Sequence, residues 1–190
     1  MKGFASAYLD EARELIAGID PDSVERLAET LAEVRRTNGR LFVLGVGGAA
    51  AHASHAVNDF RKQCGFEAYA PTDNVAELTA RTNDDGWESV FVEWLKGSRL
   101  RREDALMILS VGGGDSEKRV SVNVIKAIEL AQTVGATVTG IVGRDSGYTA
   151  LHAKVVVVVP PLFPSRAGHH TIGLMPVVWK SIVAHPVLAR

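Results

Sequence analysis

The sequence predicts an α/β fold built around a mostly parallel sheet, and three observations carry that expectation. Short apolar runs alternate with segments of helical periodicity. Two of those runs lead straight into glycine-rich turns. The 190 residues, 46% hydrophobic and 23% charged, suit one globular core and not a disordered or low-complexity chain.

The elements follow in order. Leu9, Ala12, Leu15 and Ile16 recur at helical spacing, as do Val24, Leu27, Leu31 and Val34, so residues 1–37 read as two helices. Asp20-Pro21 supplies a side-chain cap and then a proline where its missing N–H does no harm. The second helix should stop near Gly39. Residues 40–46 (RLFVLGV) form a nearly continuous apolar run, the pattern of a parallel strand covered on both faces. Similar runs lie at 66–70, 105–110, 136–142 and 154–159. Helices are expected at 49–62, 74–83, 86–96, 120–134 and 170–184, with Pro176 weakening or bending the last. Trp87, Trp94 and Trp179 sit at apolar helical spacing and are expected in the core or at a subunit contact.

Composition excludes several function classes. Lys and Arg total 21 against 22 Asp and Glu, without the basic excess of a nucleic-acid binder. The single cysteine, Cys64, forms no internal disulfide and no thiolate metal framework, which fits a reducing cytoplasm. The apolar run at 155–161 is far shorter than the roughly 20 residues that span a bilayer, and no membrane insertion is expected.

Chemistry is expected at the strand ends. In open α/β sheets ligands bind beyond the carboxyl ends of strands, where helix N-termini offer free N–H groups to an anion. Gly47 and Gly48 follow one strand; Ser110, Gly112, Gly113 and Gly114 follow another, with Ser121 opening the next helix. Either these glycines only turn the chain or they bring its backbone close to a phosphate. The first turn has Ala50 where a dinucleotide fingerprint has its third glycine, and it lacks the P-loop lysine, so no nucleotide cofactor is expected. On the following helix His55 and Asp59 lie four residues apart on one face, suited to a divalent metal, to proton transfer, or to a hydrogen-bonded helix interface. Asn83 and Asp84 could recognise sugar hydroxyls or simply stop a helix. His169 and His170 cannot both point one way on a helix, and an exposed capping pair is one reading of them. Lys180 lies in the last helix.

Taken together, LFVLGVGGAAAHASHAVNDF, ELTARTNDDGW, SVGGGDSEKRVSVNVIKAIELA and IVGRDSGYTA resemble the sugar isomerase (SIS) domain family, within it the phosphoheptose isomerase-like branch, over nearly the whole chain. The resemblance implies a three-layer, flavodoxin-like parallel sheet of about five strands. Residues 1–38 would be the N-terminal helices that pack the oligomer and 39–190 the SIS domain. It also implies a homotetramer with active sites between subunits. The implied activity is aldose–ketose isomerisation of a phosphorylated sugar, sedoheptulose 7-phosphate to heptose 7-phosphate; the alternative is a non-catalytic phosphosugar-binding or regulatory SIS protein. The family's phosphate loop falls on residues 110–114 and on Ser121, with glycines in place of hydroxyl side chains. Lys118 or Arg119 could replace the contacts those hydroxyls would make. The metal-binding histidine falls on His55 and the catalytic glutamate on Asp59, so zinc or another divalent metal is implied, with His169 and His170 as further candidate ligands. The family's polar and histidine pair on the last helix falls on Ile172 and Lys180 if helix ends are aligned, or on His169 and Val177 if counted from Pro160. Lys180 or one of the vicinal histidines would then partner Asp59.

Overall fold

The computed structural model describes residues 3–189. Two helices open the described chain, α1 (Phe4–Ala17) and α2 (Pro21–Arg36). The Asp20 carboxylate caps α2 by accepting from the N–H groups of Asp22 (3.1 Å) and Ser23 (3.2 Å), with Pro21 at the first helical position. There follow β1 (Leu41–Gly45), α3 (Gly48–Cys64), β2 (Ala68–Tyr69), α4 (Val75–Asp84), α5 (Val90–Gly97), β3 (Ala105–Ser110), α6 (Val122–Val134), β4 (Thr137–Val142), α7 (Tyr148–His152), β5 (Val155–Val158) and α8 (Ala167–Val183).

The five strands are all parallel, in the order β2-β1-β3-β4-β5. Alternation along each strand sends side chains to two separate cores. Leu41, Val43, Met107, Leu109 and Ile141 pack under α2, α3 and α8; Phe42, Leu44, Leu106, Ile108 and Val138 pack under α5 and α6. This is the expected three-layer sandwich. The apolar face of α2, with Leu27, Leu31 and Val34, is fully part of the first core. By contrast α1 buries Leu15 and leaves Phe4 and Leu9 exposed at 73% and 65%.

Several boundaries differ from expectation for local reasons. The second strand shrinks to two residues because it is a sheet edge, paired on one side only. The helix expected from Val120 begins at Val122, because Asp115 and Val120 pair as a small antiparallel bridge and Ser121 adopts a left-handed φ of 54°. The segment expected to be helical from Gly86 starts as a 3₁₀ turn at Trp87–Ser89. Pro176 does not interrupt α8, which starts at Ala167, ahead of the expected His170. Trp179 lies in the core, Trp94 is half-buried and Trp87 is exposed. Cys64 is buried and unpaired. Among the described residues no helix is long and apolar enough to cross a membrane.

Candidate active site

The strand order reverses direction between β1 and β3, which opens a crevice beyond their carboxyl ends. A cavity of about 450 Å³ occupies that position, lined by Val46 and Ala49 after β1, by Ser110, Gly112, Gly114 and Ser121 after β3, and by Ile172 of α8. Lys118 and Arg144 line both this cavity and an adjoining one of about 350 Å³.

The loop after β3 is built to present N–H groups. Gly113 and Gly114 take φ values of 72° and 91°, which only glycine adopts without strain. Their carbonyls are pulled away by the following crossover: Thr149 N–H (2.8 Å) and Oγ1 (2.7 Å) donate to the Gly113 oxygen, and Tyr148 N–H donates to the Gly114 oxygen at 2.9 Å. Gly143 N–H does the same for the Val111 oxygen at 3.0 Å. Among the described residues the N–H groups of Gly112 and Gly114 reach no acceptor, while that of Gly113 donates to Ser110 Oγ at 3.0 Å. Ser121 Oγ caps nothing. On the β1 side, Gly47 (φ 61°) makes the turn into α3, and Gly48 lies against Ile172. Such an array of unsatisfied donors beside a helix N-terminus is chemically suited to an anion.

Two cations at this cavity differ in their freedom. Lys118 Nζ lies 3.7 Å from Asp115. The exposed Arg144 guanidinium has no hydrogen bond or ion pair among the described residues. Arg119 points elsewhere, bound to Glu88. Sequence reasoning missed Arg144 as a site residue although it lies within IVGRDSGYTA, because it stands thirty-odd positions from the glycine loop and only the fold brings the two together.

Farther along α3 and α8 stands a charged trio. Lys180 Nζ lies 2.8 Å from Asp59 Oδ2 and 3.5 Å from His55 Nε2, and His55 Nε2 is 3.6 Å from the same carboxylate oxygen. The ammonium also sits 4.6 Å from the centre of the Trp179 ring, against which His55 packs edge-on at 5.0 Å. The Asp59 side chain is only 7% exposed, whereas those of His55 and Lys180 are 54% and 50% exposed. Burial presses the Asp59 pKa upward, but the hydrogen bond and charge of Lys180, helped by Asn58 and His55, outweigh burial and hold it below the usual carboxylate range. Of the two alignments for the last helix, this is the one that places Lys180 at His55 and Asp59; Val177 and His169 are exposed.

The residues present do not fit a divalent metal. Among those described, no group of three or more His, Cys, Asp or Glu side chains converges, and the carboxylate oxygen a metal would take already faces an ammonium. His170 is not an exposed cap: it is buried, 2.8 Å from Glu11 and stacked on Tyr8, where it serves to dock α1. Of the expected ligands, His55 and Asp59 come together with Lys180, while His170 is bonded to Glu11 and His169 is exposed. Asn83 and Asp84 stand on the exposed last turn of α4, bonded to each other at 2.7 Å, and do not line the cavity.

The SIS domain family profile matches residues 7–143, more than half of the chain. The phosphoheptose isomerase of Chlorobaculum parvum is 31% identical over 160 residues, covering 80% of this chain and 73% of that protein. That of Trichlorobacter lovleyi is 31% identical over 174 residues, covering 87% and 83%. A phosphoheptose isomerase structure from Neisseria gonorrhoeae superposes with a TM-score of 0.78 at 26% identity, covering 95% of this chain and 97% of that one. Sheet order, crevice and sequence likeness agree, and the chain belongs to the SIS domain family, among relatives that are phosphoheptose isomerases.

Proposed function

We propose that this chain is a phosphosugar aldose–ketose isomerase acting on sedoheptulose 7-phosphate. One observation carries the reading: the helix that leaves the anion cavity, α3, bears a buried carboxylate, Asp59, less than three turns farther on. Phosphate anchors in the cavity through Ser110, Ser121, the Gly112 and Gly114 N–H groups and Arg144, with Lys118 beside it. The open chain then extends along α3 and α8 toward Asp59.

Asp59 accepts a proton from C1 of the ketose. The C1–H electron pair becomes the C1=C2 bond, and the carbonyl pair collects on O2 as an enediolate. The O1 proton passes to O2 as the C1 aldehyde forms, and the proton held by Asp59 returns to C2. His55, half exposed beside the same carboxylate, is placed to relay the proton between the two oxygens. The relatives named phosphoheptose isomerase support the seven-carbon substrate.

Assembly into a homotetramer with shared sites is part of the proposal. Supporting it are the open side of the trio and the exposed Phe4, Leu9 and Ile16 of α1, apolar groups that a second copy would cover. A cytoplasmic location accords with the buried free thiol of Cys64.

The decisive experiment is incubation with sedoheptulose 7-phosphate in heavy water. Deuterium should enter at C1 of the ketose and C2 of the heptose, and Asp59→Asn should slow this by about 10²–10⁴. The rival reading, a phosphosugar-binding module without turnover, is favoured by one feature, the neutralisation of Asp59 by Lys180. It requires calorimetric binding of the sugar phosphate with no isotope incorporation.

A further inference from the structure

We infer that Lys180 is a catalytic residue that takes the place of a divalent metal, its ammonium polarising the substrate carbonyl and holding the enediolate oxygen, so that isomerisation proceeds without a metal ion. The inference rests on the isomerase reading above but asks a separate question, namely what supplies positive charge at the reacting carbons.

The geometry argues for a resident cation. Lys180 Nζ is fixed by three neighbours on two elements: the Asp59 carboxylate at 2.8 Å, the His55 ring nitrogen at 3.5 Å and the Trp179 ring at 4.6 Å. Trp179 is fully buried, so this wall is packed into the core. The side chain is nevertheless half exposed, and three N–H donors cannot all be used by one carboxylate oxygen and one imidazole nitrogen. A donor is left over for solvent or for a substrate oxygen. A preorganised donor aimed at developing negative charge is the largest single contributor in many active sites.

Electrostatics make metal and lysine alternatives, not partners. A divalent ion bound by Asp59 and His55 would stand within a few ångströms of the ammonium, and repulsion between like charges at that range is severe where water is partly excluded. The lysine also explains how a carboxylate can be buried here without a metal to neutralise it: the ion pair does so. When the substrate oxygen engages the ammonium, the charge that held Asp59 is shared, and the carboxylate becomes a better proton acceptor as the carbonyl becomes more electrophilic.

The test has two arms. In the first, wild-type protein stripped with a strong chelator is assayed for deuterium exchange in sedoheptulose 7-phosphate. The full rate should survive stripping, and Lys180→Met should lower it by about 10² or more. Lys180→Met should also weaken a hydroxamate mimic of the enediolate by a similar factor while leaving inorganic phosphate affinity unchanged, a split that a merely structural lysine would not produce. In the second arm, Co(II) is titrated and its visible absorption recorded, which reads metal binding whatever the activity. Wild type should show no stoichiometric band. A band that appears in wild type and vanishes in His55→Ala overturns the inference. Exchange that is lost on stripping and restored by zinc also overturns it while leaving the isomerase intact. No exchange under either condition sinks the isomerase reading itself, and with it the catalytic role of Lys180.

Discussion

Glu11 on α1 and His170 on α8 stand 2.8 Å apart, and the same carboxylate is held by the Arg166 guanidinium, whose Nε lies 2.8 Å away. The His170 ring is further stacked on Tyr8 at 4.4 Å. One carboxylate thus secures a helix whose apolar residues are largely exposed. The Arg166 hydrogen bond, followed by that of His170, pulls the Glu11 pKa down to about 2. A carboxylate lowered in the folded state stabilises above its ordinary value, near 4.3, and loses that contribution as pH falls toward the folded value. Comparing thermal midpoints of wild type and Glu11→Gln from pH 6 to pH 2 should therefore show a gap that is full at pH 6 and closes below pH 4. A gap independent of pH would contradict this.

Arg144 is the free guanidinium at the mouth of the cavity. Arg144→Ala should raise KM for the phosphosugar by about 10- to 100-fold with little change in kcat, the loss expected of one charge-assisted hydrogen bond made equally in ground and transition states. Steady-state kinetics would reveal the opposite pattern, a kcat effect alone, if Arg144 acted on the reacting carbons.

Gly147 packs so closely beneath the glycine loop after β3 that an added Cβ would lie 2.1 Å from the Gly112 oxygen. Gly147→Ala must displace that loop, and kcat/KM should fall on the order of 10²-fold. Gly168, whose Cβ position is open, is the control, and Gly168→Ala should leave kcat/KM within error of wild type.

At the opposite end of the sheet, Asp104 is fully buried, accepting from Arg40 N–H at 2.9 Å, Arg40 Nη2 at 2.7 Å and Arg101 N–H at 3.0 Å. Asp104→Ala leaves the Arg40 charge without its partner and should cost about 3–5 kcal/mol in urea unfolding. Measured below its lowered melting temperature, its kcat/KM should match wild type, because nothing at the catalytic end has moved.

The sequence made the sheet legible because the strands are buried on both faces and so read as unbroken apolar runs, and because glycine pairs mark the ends of β1 and β3. Capping by Asp20 was legible for a local reason, a side chain reaching its own next turn. What stayed hidden is tertiary. The five residues of α7 are too few for a 3.6-residue period to register, yet Tyr148 and Thr149 are what tie back the glycine-loop carbonyls. His170 looks in sequence like one of an exposed pair, and only the return of α1 over α8 explains its burial. The trio was partly legible, since α3 places His55 and Asp59 on one face, but Lys180 joins them from 121 residues away.

The contact of Gly48 with Ile172 near one end and of Asp59 with Lys180 farther on means that α3 and α8 run side by side in the same direction. Each helix has a residue at the cavity, Ala49 near the start of α3 and Ile172 in the second turn of α8, and carries its charged residues a set number of turns beyond, six residues from Ala49 to His55 and eight from Ile172 to Lys180, about 9 and 12 Å of axial rise. The pair works as a molecular gauge. With the phosphate seated at the near mark, as proposed, the fixed rise of the two helices sets how long a carbon chain must be to reach the far one.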